Sequence, residues 1–384
     1  MTSSIQRRGA IVGVAESDLG VVGPDRTPWQ LQAQAARRAL LEAGLTFADV
    51  DGLLVTGSAY TWSPVMSMAE YLGITPRWSV GTNLGGASFE SHVGHAVRAI
   101  ADGLCEVALI TYGSVARSQR PDPAPAAVRG PEQFERIHGL PAPVGAYALA
   151  AARHMHQYGT TSAQLAEVAV ATRKWAALNP KAFRREPLTI EDVLTSPMIA
   201  EPLHKLDCCL VTDGGGAVVV TSAKVASGCA TTPIWVLGHG ESHSHLTIAS
   251  MPDVTVTAAA QSGPAALEMA GVELADIDLF ELYDSFTITV LLTLEALGIC
   301  APGESGAFVS GQRTAPGGDF PLNTNGGGLS YCHPGMYGIF LLIEAVRQLR
   351  GEAGDRQVDD ASLALVHATG GQLSAAATVV LANA

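Results

Sequence analysis

The chain has 384 residues, 47% hydrophobic and 15% charged, enough for two ordinary domains with an ample core. Its formal charge of −13 excludes nucleic-acid binding through the phosphate backbone, which needs clustered Lys and Arg, so any phosphate-bearing ligand must find a local basic patch. No apolar run approaches the roughly 18 residues of a membrane span, and MTSSIQRRGAIVGVAE runs directly into a strand-like segment without a secretory cleavage pattern. The expectation is a cytoplasmic protein that engages no membrane. Six cysteines (Cys105, Cys208, Cys209, Cys229, Cys300, Cys332) in no CxxC spacing predict free thiols in a reducing compartment.

In chain order, Ala39–Asp51 reads as the end of an amphipathic helix, a Gly44 cap and an Asp before the buried strand GLLVTG. A glycine-bearing turn, GTNLGGAS, precedes a helix over Gly94–Ile100 and an apolar strand over Val107–Gly113. Neither that turn nor TDGGGA fits a phosphate-loop or dinucleotide fingerprint. An insertion follows over about 117–206. It opens with the Pro-rich RPDPAPAAVRGP and carries the densest basic cluster in the chain, Lys174, Lys181, Arg184 and Arg185. A phosphate-bearing ligand would need such charge; a solvated charged face is the equal alternative.

After the strand Ile234–Leu237 comes His239-x-x-x-His243-x-His245, which has no accompanying carboxylate or Cys signature, and no metal is expected there. The first pattern then recurs. ALLEAGLTFADVD at Ala39–Asp51 matches ALEMAGVELADID at Ala266–Asp278, offset by 227 residues with seven of thirteen positions identical. The second copy leads into the strand LFELYD, a helix over Tyr337–Leu349 and a strand over Leu363–His367. Alternating helices and apolar strands predict a layered α/β fold in two halves, 1–228 and 229–384.

The run Asn323–Gly338, NTNGGGLSYCHPGMYG, predicts a glycine-rich approach to a helix starting at His333-Pro334. It resembles the Asn-x-Asn-Gly-Gly…Gly-His-Pro signature of thiolases, with Asn323, Asn325, Gly326, Gly327, His333 and Pro334 in register. Tyr331 and Cys332 depart from it, standing where the family has an aliphatic residue and a glycine. ATRKWAALNPKAFRREPLTIEDVL and EPLHKLDCCLVTDGGGAVVV resemble the loop domain and domain end of the sterol-carrier-protein-X branch of that family. The resemblance implies a thiolase fold with two pseudo-symmetric halves in five layers, αβαβα, over essentially the whole chain. It also implies a glycine-rich ligand approach at Gly326 and Gly327.

Thiolases place a nucleophilic Cys at a helix start, where its thiolate is favoured, with a second Cys acting as acid and base. The family spacing puts Gly86 in the first slot and His367 in the second, so both thiols are gone. The Asn-Glu-Ala-Phe turn becomes Tyr283-Asp284-Ser285-Phe286. His333 alone is unchanged, which leaves a pocket able to stabilise a thioester enolate. The pattern looks like the steroid side-chain-cleaving aldolases. Those imply cleavage of a β-hydroxyacyl-CoA into a ketone and a short acyl-CoA, with coenzyme A as part of the substrate and no permanent cofactor. Tyr283 and Tyr331 are then the expected proton-transfer groups, with Asp284, His367 and Tyr337 as further candidates. A homodimer joined by a small OB-fold and zinc-ribbon partner, as a heterotetramer, is also implied, with pairing across the twofold through Val107–Gly113. The competing readings are an acyltransferase using Cys332 and a non-catalytic lipid-binding subunit.

Overall fold

The computed structural model describes residues 6–57, 63–119 and 130–383, so most of the Pro-rich opening of the insertion lies outside the described residues. The first half runs β1 (Gly9–Glu16), α1 (Pro28–Ala43), β2 (Gly52–Thr56), α2 (Pro64–Leu72), β3 (Trp78–Thr82), α3 (Ser88–Ala101) and β4 (Val107–Ser114). The insertion then supplies α4 (Gln133–Arg136), α5 (Val144–Tyr158), α6 (Ser162–Leu178), α7 (Ile190–Thr195) and a hairpin of β5 (Met198–Ala200) and β6 (Leu203–His204). β7 (Gly214–Ser222) and α8 (Ala223–Ala226) close this half. The second half runs β8 (Ile234–His243), α9 (Ala259–Ala270), β9 (Leu279–Leu282), α10 (Thr287–Ala296), α11 (Ser305–Val309), α12 (Gly338–Leu349), β10 (Leu363–Gly370) and β11 (Ala375–Ala382).

The sequence repeat becomes a structural one through its caps. Gly44 ends α1 at φ 75° and Gly271 ends α9 at φ 69°, a left-handed conformation that glycine takes without Cβ strain. The Asp that follows each cap ties down the start of a neighbouring strand. Asp51 accepts the N–H groups of Glu106 and Val107, and Asp278 accepts those of Ser362 and Leu363. The nine-stranded sheet has the order β3-β2-β4-β7-β1-β8-β11-β10-β9, so the run β2-β4-β7-β1 recurs as β9-β10-β11-β8. The runs meet where β1 pairs antiparallel with β8 through Ala10 and Ile11.

Because strand side chains alternate, each half-sheet buries both faces. The inner faces enclose α3 and α12, with Phe89, Val93 and Val97 meeting Phe340, Ile343 and Val346 in one core. α1 covers the outer face of the first half, while α9 and α10 cover that of the second. The insertion, though it leaves from the first half, packs on the second: Tyr147, Ala150 and Leu165 join Leu282, Phe286 and Leu291. One expectation fails here. β4 lies between β2 and β7 and has no free edge for pairing across a twofold; the open edge of the first half is β3, half exposed along its length.

Candidate active site

Tyr283 emerges from the end of β9. Its N–H donates to the His367 carbonyl at 3.0 Å, and alternation along β9 points it into the middle layer with Leu279, while Phe280 and Leu282 face outward. His333 reaches the same place from the other side. Its N–H donates to Thr212 Oγ1 at 2.9 Å, and its carbonyl accepts the Thr212 N–H at 3.1 Å. That pairing leaves His333 outside any helix, which corrects the expected helix start: residues Gly327–Tyr331 make one wide helical turn, and α12 begins only at Gly338. The Tyr283 hydroxyl lies 2.7 Å from His333 Nε2. The two rings stack at 5.7 Å, and Tyr337 joins at 5.7 Å from Tyr283 and 6.3 Å from His333. Tyr337 donates its hydroxyl to Asn325 Oδ1 at 2.7 Å, the oxygen that also accepts the Gly327 N–H.

Burial sets the charge states. It pulls the His333 pKa down to about 4, partly offset by a hydrogen bond to its own backbone. The imidazole is therefore neutral at pH 7 and able to accept a proton. Burial likewise pushes the Tyr283 and Tyr337 hydroxyls well above the usual phenol range, so both act as donors. His333 and Tyr283 keep 8% and 5% of their surface exposed while Tyr337 keeps none, which makes the first two the open end of the stack.

Gly86 lies in the short turn Gly85–Ala87 that leads into α3. A Cβ built on it would overlap Cε1 of the Tyr283 ring and stand 2.6 Å from the Thr369 carbonyl oxygen. The Tyr283 ring fills the room that a cysteine at this helix start would need. The remaining thiols offer no substitute. Cys332 is wholly buried with its pKa pushed far up by burial and by the nearby Glu16 and Asp284 carboxylates, and burial drives Cys209 the same way.

The other expected residues are placed as follows. Asp284 accepts the N–H groups of Gly328 and Leu329 at 2.6 and 3.1 Å; burial outweighs these bonds and raises its pKa to about 7. It anchors the wide turn behind the stack. Gly326 and Gly327 do not leave space for a ligand: their missing Cβ positions are taken by Ala176 of α6 and by the Asp284 carboxylate. Tyr331 turns away from His333 and donates to Glu16 Oε1 at 2.9 Å. Burial alone would raise the Glu16 pKa, but Arg347 and Lys181 hold it down to about 2. His367 is corrected too. Alternation along β10 puts it on the α9 side of the sheet, bonded to Thr378 Oγ1 at 2.8 Å, away from the face that carries Val366 and Ala368.

The basic cluster divides. Lys181 is engaged with Glu16 at 2.9 Å, and Arg185 donates to the Ala177 carbonyl. Arg184 and Arg117 lie 5.6 and 5.1 Å from the Phe183 ring centroid, and Lys174 is exposed on α6. The N–H groups of Phe183 and Arg184 donate to the carbonyls of Tyr331 and Ser330, so this segment runs along the approach to His333. His239 bonds Arg98, and His245 bonds Ser244 and Gln372, so that histidine run does not converge. Two contributors escaped the sequence reading. Glu16 sits far off in sequence with no motif, but Arg173 had a signal, one residue before Lys174 on α6, and it ties the wide turn by donating to Ser330 Oγ.

A thiolase-type scaffold with a phenol and imidazole in place of cysteine chemistry is the class these features define. Residues 240–383 match the family model described as Thiolase C-terminal domain-like. The chain is 33% identical to an acetyl-CoA acetyltransferase of Methanothermobacter thermautotrophicus, over 97% of this chain and 99% of that protein. It is 35% identical to a 17-hydroxy-3-oxo-4-pregnene-20-carboxyl-CoA lyase of Mycobacterium tuberculosis, over 90% and 92% respectively. Among solved structures, one titled Ltp2-ChsH2(DUF35) aldolase superposes with a TM-score of 0.88 at 34% identity, covering 98% of each chain. The chain belongs to the thiolase superfamily, in the sterol-carrier-protein-like branch that includes the steroid side-chain-cleaving aldolases.

Proposed function

We propose that the protein is a carbon–carbon lyase, a retro-aldolase that cleaves the Cα–Cβ bond of a β-hydroxyacyl-CoA. The observation that carries this reading is the Tyr283 phenol, which fills the acyl-nucleophile position with its hydroxyl 2.7 Å from a neutral His333 Nε2. The similar proteins bear names of two activities, acyl transfer and carbon–carbon cleavage. Gly86 decides between them here, because acyl transfer of the thiolase kind needs a thiolate at that helix start and Cys332 is buried and protonated.

The substrate hydroxyl gives its proton to Tyr283 as Tyr283 passes its own to His333 Nε2. The Cβ–O bond becomes a carbonyl, the Cα–Cβ bond breaks, and its electron pair moves into the thioester enolate. Protonation at Cα then gives the short acyl-CoA. Tyr337, packed on both rings and fixed by Asn325, holds the stack in register. The large leaving ketone is assigned as a steroid, after the substrate named for the M. tuberculosis lyase, with propionyl-CoA as the second product. Lys174, Arg184 and Arg185, with Arg117, are assigned to the coenzyme A phosphates. A homodimer with an OB-fold and zinc-ribbon partner in a heterotetramer is the proposed assembly, supported by the two-protein title of the similar aldolase structure.

Tyr283→Phe removes one hydroxyl and keeps the ring. It should lower kcat by about 10² to 10⁴ with KM little changed, the range for a lost acid or base. Tyr331→Phe, whose hydroxyl serves Glu16, should stay within about tenfold of the parent. Steady-state kinetics with a steroid β-hydroxyacyl-CoA gives the answer, and the reverse ranking of the two variants would overturn the assignment.

A further inference from the structure

Helices α1, α6 and α7 begin on Thr27, Thr161 and Thr189, whose hydroxyls accept first-turn N–H groups. The two helices of the middle layer do not: α3 starts after Ala87 and α12 after Tyr337, with no side-chain cap at either. Their first turns converge. A Cβ on Gly338 would overlap both the Gly86 carbonyl oxygen and a carboxyl oxygen of Glu90. Glu90 stands in the first turn of α3, four residues after Gly86, and helical side chains lean toward the N-terminus, so its carboxyl lies back over the turn that carries Gly86.

Glu90 is wholly buried, and neither carboxyl oxygen has a hydrogen-bond partner among the described residues. Burial pushes its pKa well above the carboxylate range, so it is carried as a neutral acid. An O–H donor enclosed without an acceptor is unfavourable unless a ligand completes it. The setting suits an anionic ligand, since the positive dipole ends of α3, extended by the turn Gly85–Ala87, and of α12 meet here. The Cβ direction of Gly86 is filled by Tyr283, and its carbonyl stands against Gly338 beside Glu90, so the acid and the Tyr283–His333 pair adjoin one turn.

We propose that Glu90 is the acid that protonates the α-carbon of the acyl-CoA enolate. In this step the enolate electron pair forms the new Cα–H bond, the Glu90 O–H bond breaks and the thioester carbonyl is restored; the proton that His333 took up in the cleavage then passes through water to the Glu90 carboxylate, which resets both groups. The proposal rests on the retro-aldolase reading for the origin of the enolate, but the proton step is separable. A short acyl-CoA alone, propionyl-CoA in D₂O, undergoes the same transfer in reverse and forward as α-hydrogen exchange: the carboxylate form of Glu90, populated as pH rises, takes an α-proton, the acid re-equilibrates with D₂O, and a deuteron returns to Cα, with no β-hydroxyl or ketone involved.

The test follows deuterium incorporation into propionyl-CoA by mass spectrometry for the parent and Glu90→Gln. The parent should exchange, and the variant should lose about 10² or more of the rate while keeping its thermal midpoint. A parent that does not exchange, or a folded variant that exchanges at the parent rate, would overturn the proposal. Infrared difference spectra keep it testable if the variant does not fold. The parent should show a protonated-carboxyl stretch that moves when propionyl-CoA binds; no movement would also overturn it. Glu90-dependent exchange in a protein that cleaves no β-hydroxyacyl-CoA would instead sink the aldolase reading and leave the acid in place.

Discussion

A methyl group at Gly86 would enter the volume of the Tyr283 ring, so Gly86→Ala is expected to cost about 1–3 kcal/mol through overpacking. Part of the cost should vanish in a Tyr283→Ala background, where the ring is gone, while the part set by the Thr369 carbonyl oxygen remains. Denaturant unfolding of the four proteins of this cycle measures the coupling, and additive effects would place the two residues apart. His333 gives a second residue-scale expectation. Its pKa is lowered by burial to about 4, so the base-competent neutral form is present above that value and is lost as pH falls through it. The imidazole proton resonances, assigned with His333→Asn, should show no titration between about pH 5 and 8; a midpoint near 6.5 would mean a solvated ring. That Tyr283 and His333 would meet was readable from the sequence, because each falls in a motif with fixed register. Tyr331 lay in the same run, but the wide turn at Gly327–Tyr331 rotates its hydroxyl toward Glu16 of β1, a partner more than 300 residues away that no local spacing reveals. His367 failed for a simpler reason: one step along a strand reverses the face.

Elements were legible where a local cap or period set them. The Gly44 and Gly271 caps and the apolar strands follow from residues within a few positions of one another, whereas the strands that Asp51 and Asp278 tie down lie more than fifty residues further on. The helix expected at His333-Pro334 does not form, because Thr212, in the segment between the insertion and β7, pairs with both the N–H and the carbonyl of His333. Asp278 tests the repeat as a physical device. Its carboxylate accepts N–H groups at the start of β10 and the Ser362 hydroxyl, so Asp278→Ala should destabilise by about 1–3 kcal/mol, and Asp51→Ala should act alike at β4. Thermal unfolding of both variants provides the comparison. No effect at either site would reduce the repeat to a likeness of sequence.

At the scale of the molecule, the repeat brings two helix starts and two strand ends to one place, and the insertion packs against it from the side, with the Tyr147 ring tilted against Phe286 at 4.3 Å. The sheet edge was not legible in the same way. Strand order depends on non-local pairing, so the apolar Val107–Gly113 gave no sign that β2 and β7 flank it. The central claim is that this scaffold breaks a carbon–carbon bond without an acyl-enzyme. The most direct measurement incubates the protein, alone and with an OB-fold partner, with a steroid β-hydroxyacyl-CoA and resolves products and intact protein by mass spectrometry. The account predicts a ketone and a short acyl-CoA in equal amounts, with the protein mass unchanged throughout. A protein carrying a covalent acyl group, or products that appear only when free coenzyme A is added, would contradict it.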